Sequence, residues 1–174
     1  DTSIAENFKE IDNSFSLDNY NFVTAELGNE KIANVYRVLG PFDYGSYDMK
    51  KEMADERGDN DDDESKEDSD DDDRKAYLQD YWDTRRSGAQ FRGEVMSESK
   101  RPHGMGIKVF NKNSLYEGYF KDGTCHGAGR GITSNGECYQ GMFEDDEMKG
   151  LGMFYWPDGR IYEGDFLGGK KQGK

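Results

Sequence analysis

A pattern that returns every 23 residues constrains this chain more than any other feature. Tyr116, Tyr139 and Tyr162 open successive units, each followed by Gly two positions on and Phe four positions on: Gly118 and Phe120, Gly141 and Phe143, Gly164 and Phe166. A fixed period of this length marks a repeat architecture, in which each unit is one supersecondary element that buries its apolar face only against its neighbours. Within a unit the pattern alternates with period two, which is strand geometry: Tyr116, Gly118 and Phe120 fall on one face, Glu117 and Tyr119 on the other. Lys121-Asp122-Gly123-Thr124 reads as a turn, and a return strand begins near Gly127-Ala128-Gly129. Ser134-Asn135-Gly136 and Trp156-Pro157-Asp158-Gly159 turn the chain into the next hairpin. The expected fold is mainly β: an elongated single-layer antiparallel sheet of stacked hairpins, with short helices in an N-terminal extension.

Gly in a strand is costly unless a bulky group must approach the backbone. The glycines of the return strand are therefore expected to share a bare face on which the Tyr and Phe rings lie flat, so that ring on glycine replaces a two-layer core. The repeat-defining residues, and the candidate interaction surface, are Tyr116, Gly118, Phe120, Gly127, Gly129, Tyr139, Gly141, Phe143, Gly150, Gly152, Trp156, Tyr162, Gly164 and Phe166.

A first, degenerate unit starts at Phe91-Arg92-Gly93-Glu94-Val95 and carries a two-residue insertion before His103-Gly104-Met105-Gly106, as expected of a terminal unit. Residues 91–174 thus hold three units and a truncated fourth. Ahead of them, Leu78, Tyr81 and Trp82 lie on one side of a helix expected from Arg74 to about Thr84, which would cap the stack; residues 74–90 form this cap and entry.

The N-terminal half is of another kind. Hydrophobic content of 33% and a charged fraction of 34% are poor for a close-packed globule of 174 residues, so part of the chain is expected to be disordered or to pack on something else. Ser3-Ile4-Ala5-Glu6 resembles a capping box, with Ile4, Phe8 and Ile11 on one helical face that is expected to pack either against the rest of this chain or on a partner. A second helix is expected from about Asn29 to Leu39, stopped by Gly40-Pro41. Phe42-Asp43-Tyr44-Gly45-Ser46-Tyr47 reads as an extended aromatic loop laid on a surface. Residues 1–54 are read as a docking arm for a neighbouring subunit, and residues 55–73 as a disordered acidic linker.

The net charge of −14 is local: residues 55–73 carry 13 acidic and 2 basic side chains, whereas residues 74–174 carry 14 and 16. No basic face is available to neutralise phosphates, which excludes a nucleic-acid binder. Asp59-x-Asp61-x-Asp63 fails as a calcium loop, with Glu64 where the sharp turn needs Gly and Asp70 where a bidentate Glu is wanted. Ser65 and Ser69 lie in acidic context that suits phosphorylation.

Cys125 and Cys138 lack any metal-ligand spacing and are read as reduced intracellular thiols; His103 and His126 share a repeat position before Gly, which explains them better than ligation does. Gly127-x-Gly129 and Gly150-x-Gly152 lie in strand pattern without a following helix, which argues against a nucleotide loop. No catalytic constellation, cofactor site or metal site is expected. No apolar run reaches the roughly 18 residues that cross a bilayer, and the chain is expected to be soluble.

The string Tyr-x-Gly-x-Phe-x-(Asp/Gly)-Gly, then His-Gly-x-Gly, then Pro-Asp-Gly at the unit's end, resembles the MORN (membrane occupation and recognition nexus) repeat over residues 91–174. Departures are Val95 at an aromatic position, Asp146 where Gly is usual, and Lys149 and Gln172 where His is common. The resemblance implies a non-enzymatic scaffold subunit of a large assembly, bound to other protein subunits, with a ciliary or axonemal, radial-spoke-like or cytoskeletal setting. An organellar, mitochondrial complex is an alternative expectation, because the chain starts at Asp1 rather than Met. A phospholipid tether is disfavoured by the acidic linker and the absence of a polybasic cluster, and a regulatory lobe of a larger enzyme would require a catalytic domain beyond Lys174.

Overall fold

In a computed structural model of the chain, residues 14–46, 76–83, 89–110 and 114–173 are described, with 76–83 and Ser46 described as backbone alone. The expected helix near Ile4, the acidic linker 55–73 and Tyr47 lie outside the described residues.

Nine antiparallel strands form one sheet whose spatial order is the chain order. They are β1 (Ala76–Asp83), β2 (Gln90–Met96), β3 (Pro102–Val109), β4 (Leu115–Lys121), β5 (Thr124–Ile132), β6 (Cys138–Glu144), β7 (Glu147–Tyr155), β8 (Ile161–Leu167) and β9 (Lys170–Lys171). The units read from the sequence are the hairpins β2–β3, β4–β5, β6–β7 and β8–β9. The register runs a row of glycines straight across the sheet: Gly93, Gly106, Gly118, Gly129, Gly141, Gly152 and Gly164 are successive partners from β2 to β8.

Rings lie on that row. A Cβ on Gly129 would stand 2.5 Å from Cε2 of Tyr116, and one on Gly152 would stand 2.6 Å from the Tyr139 hydroxyl. Each of these tyrosines donates from its hydroxyl to the carbonyl three residues on: Tyr116 to Tyr119 at 2.7 Å, Tyr139 to Met142 at 2.9 Å, Tyr162 to Asp165 at 3.3 Å. The rings then meet edge to face in a continuous ladder, Phe91, Phe120, Tyr116, Phe143, Tyr139, Phe166 and Tyr162, with centroids 4.7–5.4 Å apart. Contacts of this geometry contribute about 0.5–1.5 kcal/mol each beyond area burial.

Gly127 and Gly150 do something different. Two residues more in the return strand than in its partner produce a bulge after Gly118 and after Gly141, and these glycines sit inside it at φ 80° and 67°. Gly150 has nothing within 4 Å of where its Cβ would be. The expectation that all return-strand glycines carry rings is corrected: one of each pair makes room for a ring, the other makes the backbone turn of the bulge.

Stacking is also held at the turns, again with the period of the repeat. The N–H of Gly123, Asp146 and Gly169 donates to the carbonyl of Pro102, Cys125 and Met148 of the preceding unit, at 2.8, 3.1 and 3.2 Å. The last three hairpins turn through two residues with positive φ: Asp122 and Gly123, Asp145 and Asp146, Gly168 and Gly169. That is the turn whose twist matches the strands. Asp146 accepts the left-handed conformation where its counterparts are Gly, and its Oδ1 also accepts from Cys125 N at 2.8 Å.

The N-terminal half takes a place different from the expected one. Residues 14–21 form helix α1, continued by a π turn over Phe22–Glu26; α2 spans Glu30–Leu39. Asn29 caps α2, accepting from Lys31 N and Ile32 N at 3.1 and 3.2 Å, and Gly40 at φ 75° ends it with an N–H bond to Tyr36 O at 2.7 Å. Phe15, Ser16, Asn19 and Val23 form the buried face of the first segment, and Ile32, Ala33 and Tyr36 that of α2. Both press on the face of the sheet opposite the ring ladder, against Ile107, Val109, Leu115, Ile132 and Cys138. Phe42 and Tyr44 are buried there as well, with Met105 and Tyr119. The docking arm read at 1–54 is thus corrected for residues 14–46: their apolar face is spent on the chain's own sheet. That face needed a partner because helices this short do not stand alone in water.

A second correction concerns the cap. The helix expected from Arg74 to Thr84 is replaced over Ala76–Asp83 by strand β1, paired with β2. Leu78, Tyr81 and Trp82 have helical spacing, but Tyr77, Tyr81 and Trp82 are good strand formers. The open edge of β2 offers a row of unpaired backbone groups that a strand satisfies and a helix does not.

Candidate interaction surface

The two faces of the sheet are chemically unlike. On the ladder face the predicted residues Tyr116, Phe120, Tyr139, Phe143 and Phe166 are buried against one another, so the structure brings them together as the sheet's own core. A trough of about 540 Å³ opens beside them, lined by Lys108, Phe110, Asp146, Met148 and Phe154 among others. Tyr162 is partly buried at the ladder's end. Trp156 lies away from the glycine row, on the turn after β7, tilted against Phe154 at 4.7 Å between ring centroids, with Lys171 Nζ 4.0 Å from its ring.

The opposite face carries buried charge that the repeat pattern alone does not reveal. Four positions are equivalent across the units: Arg92 in β2, Glu117 in β4, Gln140 in β6 and Glu163 in β8. Glu117 is fully buried; Asn19 Nδ2 donates to its Oε1 at 3.0 Å and the Tyr36 hydroxyl donates to its Oε2. Arg92 donates from Nη1 to Asn19 Oδ1 at 2.9 Å, pairs with Asp18 at 3.1 Å, and lies over the Phe15 ring at 4.7 Å. Arg130, the strand partner of Glu117, donates to Gly40 O at 2.9 Å and to Gln140 Oε1 at 3.3 Å, with its guanidinium over the Tyr36 ring. Tyr44 donates to Gly106 O at 3.0 Å, and Tyr119 donates back to Tyr44 O at 2.6 Å.

These bonds explain why a polar row can be buried: each charge meets either an opposite charge or oriented donors and acceptors supplied by residues 14–46. Burial pushes the Glu117 carboxyl above its ordinary value, against the pull of the Tyr36 hydroxyl, Arg130 and Asn19. Burial likewise holds the phenols of Tyr36 and Tyr44 well above 10.0, and the Cys138 thiol is pushed up to about 12. The two phenols and the Cys138 thiol therefore keep their protons near neutral pH and are neither nucleophiles nor proton carriers there. Both cysteines are buried free thiols, and among the described residues no group of three or more His, Cys, Asp or Glu stands placed to hold a metal. His103 Nδ1 accepts from Asp122 N at 3.3 Å, a contact between neighbouring units. Among the described residues no helix is long and apolar enough to cross a membrane.

Sequence reasoning missed Asn19, Tyr36, Arg92, Glu117 and Arg130. One signal was present: Arg130 stands where the other units have Ile107 and Met153, a charge breaking an apolar column. Asn19 gave none, because a polar residue on a helix normally marks the solvent side.

The cover is incomplete. Leu115 and Cys138 are 2% and 0% exposed beneath it, whereas Ile161, the same position one unit on, is 59% exposed. Met105 is 8% exposed, and Leu151, two units on, is 71% exposed. Beside this bare end, α2 and the turn after β7 enclose a groove of about 660 Å³ lined by Val35, Val38, Leu39, Tyr155, Trp156 and Ile161, together with Lys31 and Arg160.

The family profile of the MORN repeat matches residues 116–136, 139–159 and 162–174, so the matched segments begin on the three ladder tyrosines. The hairpin β2–β3 lies ahead of the matched segments, although it is paired into the same sheet. No curated protein matches the chain. MORN repeats serve structural and membrane- or protein-binding roles, and the family is generally non-enzymatic.

Proposed function

We propose that this MORN-repeat protein is a non-enzymatic scaffold subunit of a larger protein assembly, with the repeat sheet as a rigid plate and partners seated on the surface that residues 14–46 leave bare. The observation that supports this reading is how the chain spends its polar chemistry. The buried Glu117, Arg130 and Arg92 are all engaged in fastening the cover to the sheet; of the exposed large apolar residues among those described, Leu151, Ile161 and Leu167 lie on β7 and β8 and Val38 on α2 beside them, with Leu17 and Phe110 elsewhere. Exposed apolar surface grouped at one end of a sheet is a mark of an interaction site rather than of catalysis. The setting we propose is a ciliary, axonemal or other cytoskeletal assembly, supported by the resemblance of the repeats; other protein subunits are the partners, and the charge of −14 argues against an anionic membrane as the main one.

Native purification of the full chain from its own cells, followed by size fractionation and cross-linking, tests the reading. It predicts migration far above 19.9 kDa with cross-links from the β6–β9 end of the sheet. Monomeric migration in gently prepared extracts would overturn it.

A further inference from the structure

We propose that the face of β7 and β8 opposite the ring ladder is a docking site for a basic amphipathic helix of a partner protein, which lies beside α2 and repeats there what α2 does on the earlier strands. The inference rests on the scaffold reading and gives its partner a chemistry.

The repeat supplies the first argument. Position by position, the surface that binds residues 14–46 is built again on β7 and β8: Ile161 follows Leu115 and Cys138, Leu151 follows Met105 and Ala128, and Tyr155 follows Val109 and Ile132. The earlier copies lie in the interface with the cover, and Leu151 and Ile161 lie outside it. The groove continues that interface without a break. Ile32 and Tyr36 of α2 press on the sheet, while Val35, Val38 and Leu39 on its shoulder form the groove wall facing Tyr155 and Ile161. Val38, 83% exposed, gives α2 an apolar stripe wider than its contact with the sheet requires. A second helix packed alongside covers both surfaces at once.

Charge supplies the second argument. In the covered unit, Glu117 stands across from Arg130 and takes donors from Asn19 and Tyr36. On the last unit Glu163 stands across from Met153, and with Asp165 it leaves two exposed carboxylates beside the apolar row. Of the two cations that line the groove, Arg160 is paired with Asp158 at 2.8 Å, and Lys31 belongs to α2 rather than to the sheet row that carries Glu163 and Asp165. The cation that Arg130 provides inside the chain is thus left for the occupant to bring. Lys or Arg flanking the apolar stripe of a helix meets Glu163 and Asp165; a helix with an acidic flank is repelled.

The test uses the full chain and a helical 18-residue peptide of Leu and Lys with its Leu on one face, against a Leu/Glu analogue with the same apolar stripe, read by fluorescence anisotropy in physiological salt. The Lys peptide should bind and the Glu peptide should not. Leu151→Asp and Ile161→Asp, both at exposed positions, should each weaken the Lys peptide at least tenfold, and Glu163→Lys with Asp165→Lys should reverse the preference. Failure of the Lys peptide to bind, equal binding of both peptides, or binding that survives Leu151→Asp and so belongs to the acidic residues 55–73, would overturn the proposal. If Ile161→Asp still migrates in the native assembly, the docking site is refuted and the scaffold reading stands; if the unaltered chain is monomeric, the scaffold reading itself fails.

Discussion

Asn19 donates from its side-chain amide to the buried carboxylate of Glu117 at 3.0 Å, across 98 positions of sequence, while its carbonyl oxygen accepts from Arg92. One uncharged residue of α1 therefore joins two opposite charges on neighbouring units of the sheet. Asn19→Leu keeps the volume and removes both bonds, leaving Arg92 and Glu117 each short of a partner in a buried site. The expected loss is about 2–4 kcal/mol in urea denaturation at neutral pH. A loss under about 0.5 kcal/mol, the level of a surface change, would mean that the amide does not bridge the pair.

The pH dependence follows from Glu117. Its carboxyl is held above the ordinary value of 4.5 in the folded chain, chiefly by burial. A raised carboxyl keeps its proton in the folded state where the unfolded chain has lost it, so its stabilising contribution is full below 4.5, declines as pH rises towards the folded value, and is flat beyond. Glu117→Gln removes the titration. The stability of the unaltered chain minus that of Glu117→Gln should fall with rising pH over that window, measured by thermal unfolding in a pH series. A difference that rises with pH would show instead that Arg130 and the two donors hold the group ionised.

Glycines of the return strand separate two physical causes. Gly152→Ala drives a methyl to 2.6 Å from the Tyr139 hydroxyl and should cost about 1–3 kcal/mol or more by overpacking. Gly150→Ala meets nothing within 4 Å but must hold φ 67°, so its cost should be nearer 1 kcal/mol. Chemical denaturation of the two variants ranks them, and Tyr139→Ala should relieve Gly152→Ala while leaving Gly150→Ala unchanged.

The turn at Asp146 offers a third comparison. Its left-handed backbone favours Gly, and its carboxylate accepts from Cys125 N at 2.8 Å. Asp146→Ala loses the bond and keeps the strain, with an expected loss of about 1–2 kcal/mol. Asp146→Gly loses the bond and relieves the strain, so it should lie within about 0.5 kcal/mol of the unaltered chain. Equal losses in the two variants would show that the conformation contributes nothing.

The hairpins were legible in the sequence because one period carries both strand alternation and turn residues, and the phase of Tyr116, Tyr139 and Tyr162 leaves no freedom of register. Helix α2 was legible in its bounds, Asn29 to Leu39, and in its stop at Gly40-Pro41. The seat of the N-terminal half was not. An apolar stripe says that a helix needs a surface but not whose, and the buried face of α1 includes Ser16 and Asn19, which periodicity counts as solvent-facing. Strand β1 escaped because eight residues rich in aromatics suit either state until a strand edge is available. The ring residues and their packing on glycine were legible, but not that the row closes on itself: each Phe meets, edge to face, the ring that opens the preceding unit.

Thiol labelling at one repeat position in two units tests most directly that residues 14–46 cover the first units and leave the last one bare. Cys138 lies beneath the cover with its thiol pushed up to about 12, and Ile161 is the same position one unit later, exposed. In Ile161→Cys treated with iodoacetamide under native conditions, the new thiol should react at the rate of a free cysteine, and Cys138 at least about a thousandfold more slowly, given its burial and its scarce thiolate. If Cys138 reacts as fast as the introduced cysteine in the folded chain, the N-terminal segment does not lie on the sheet and the account is wrong.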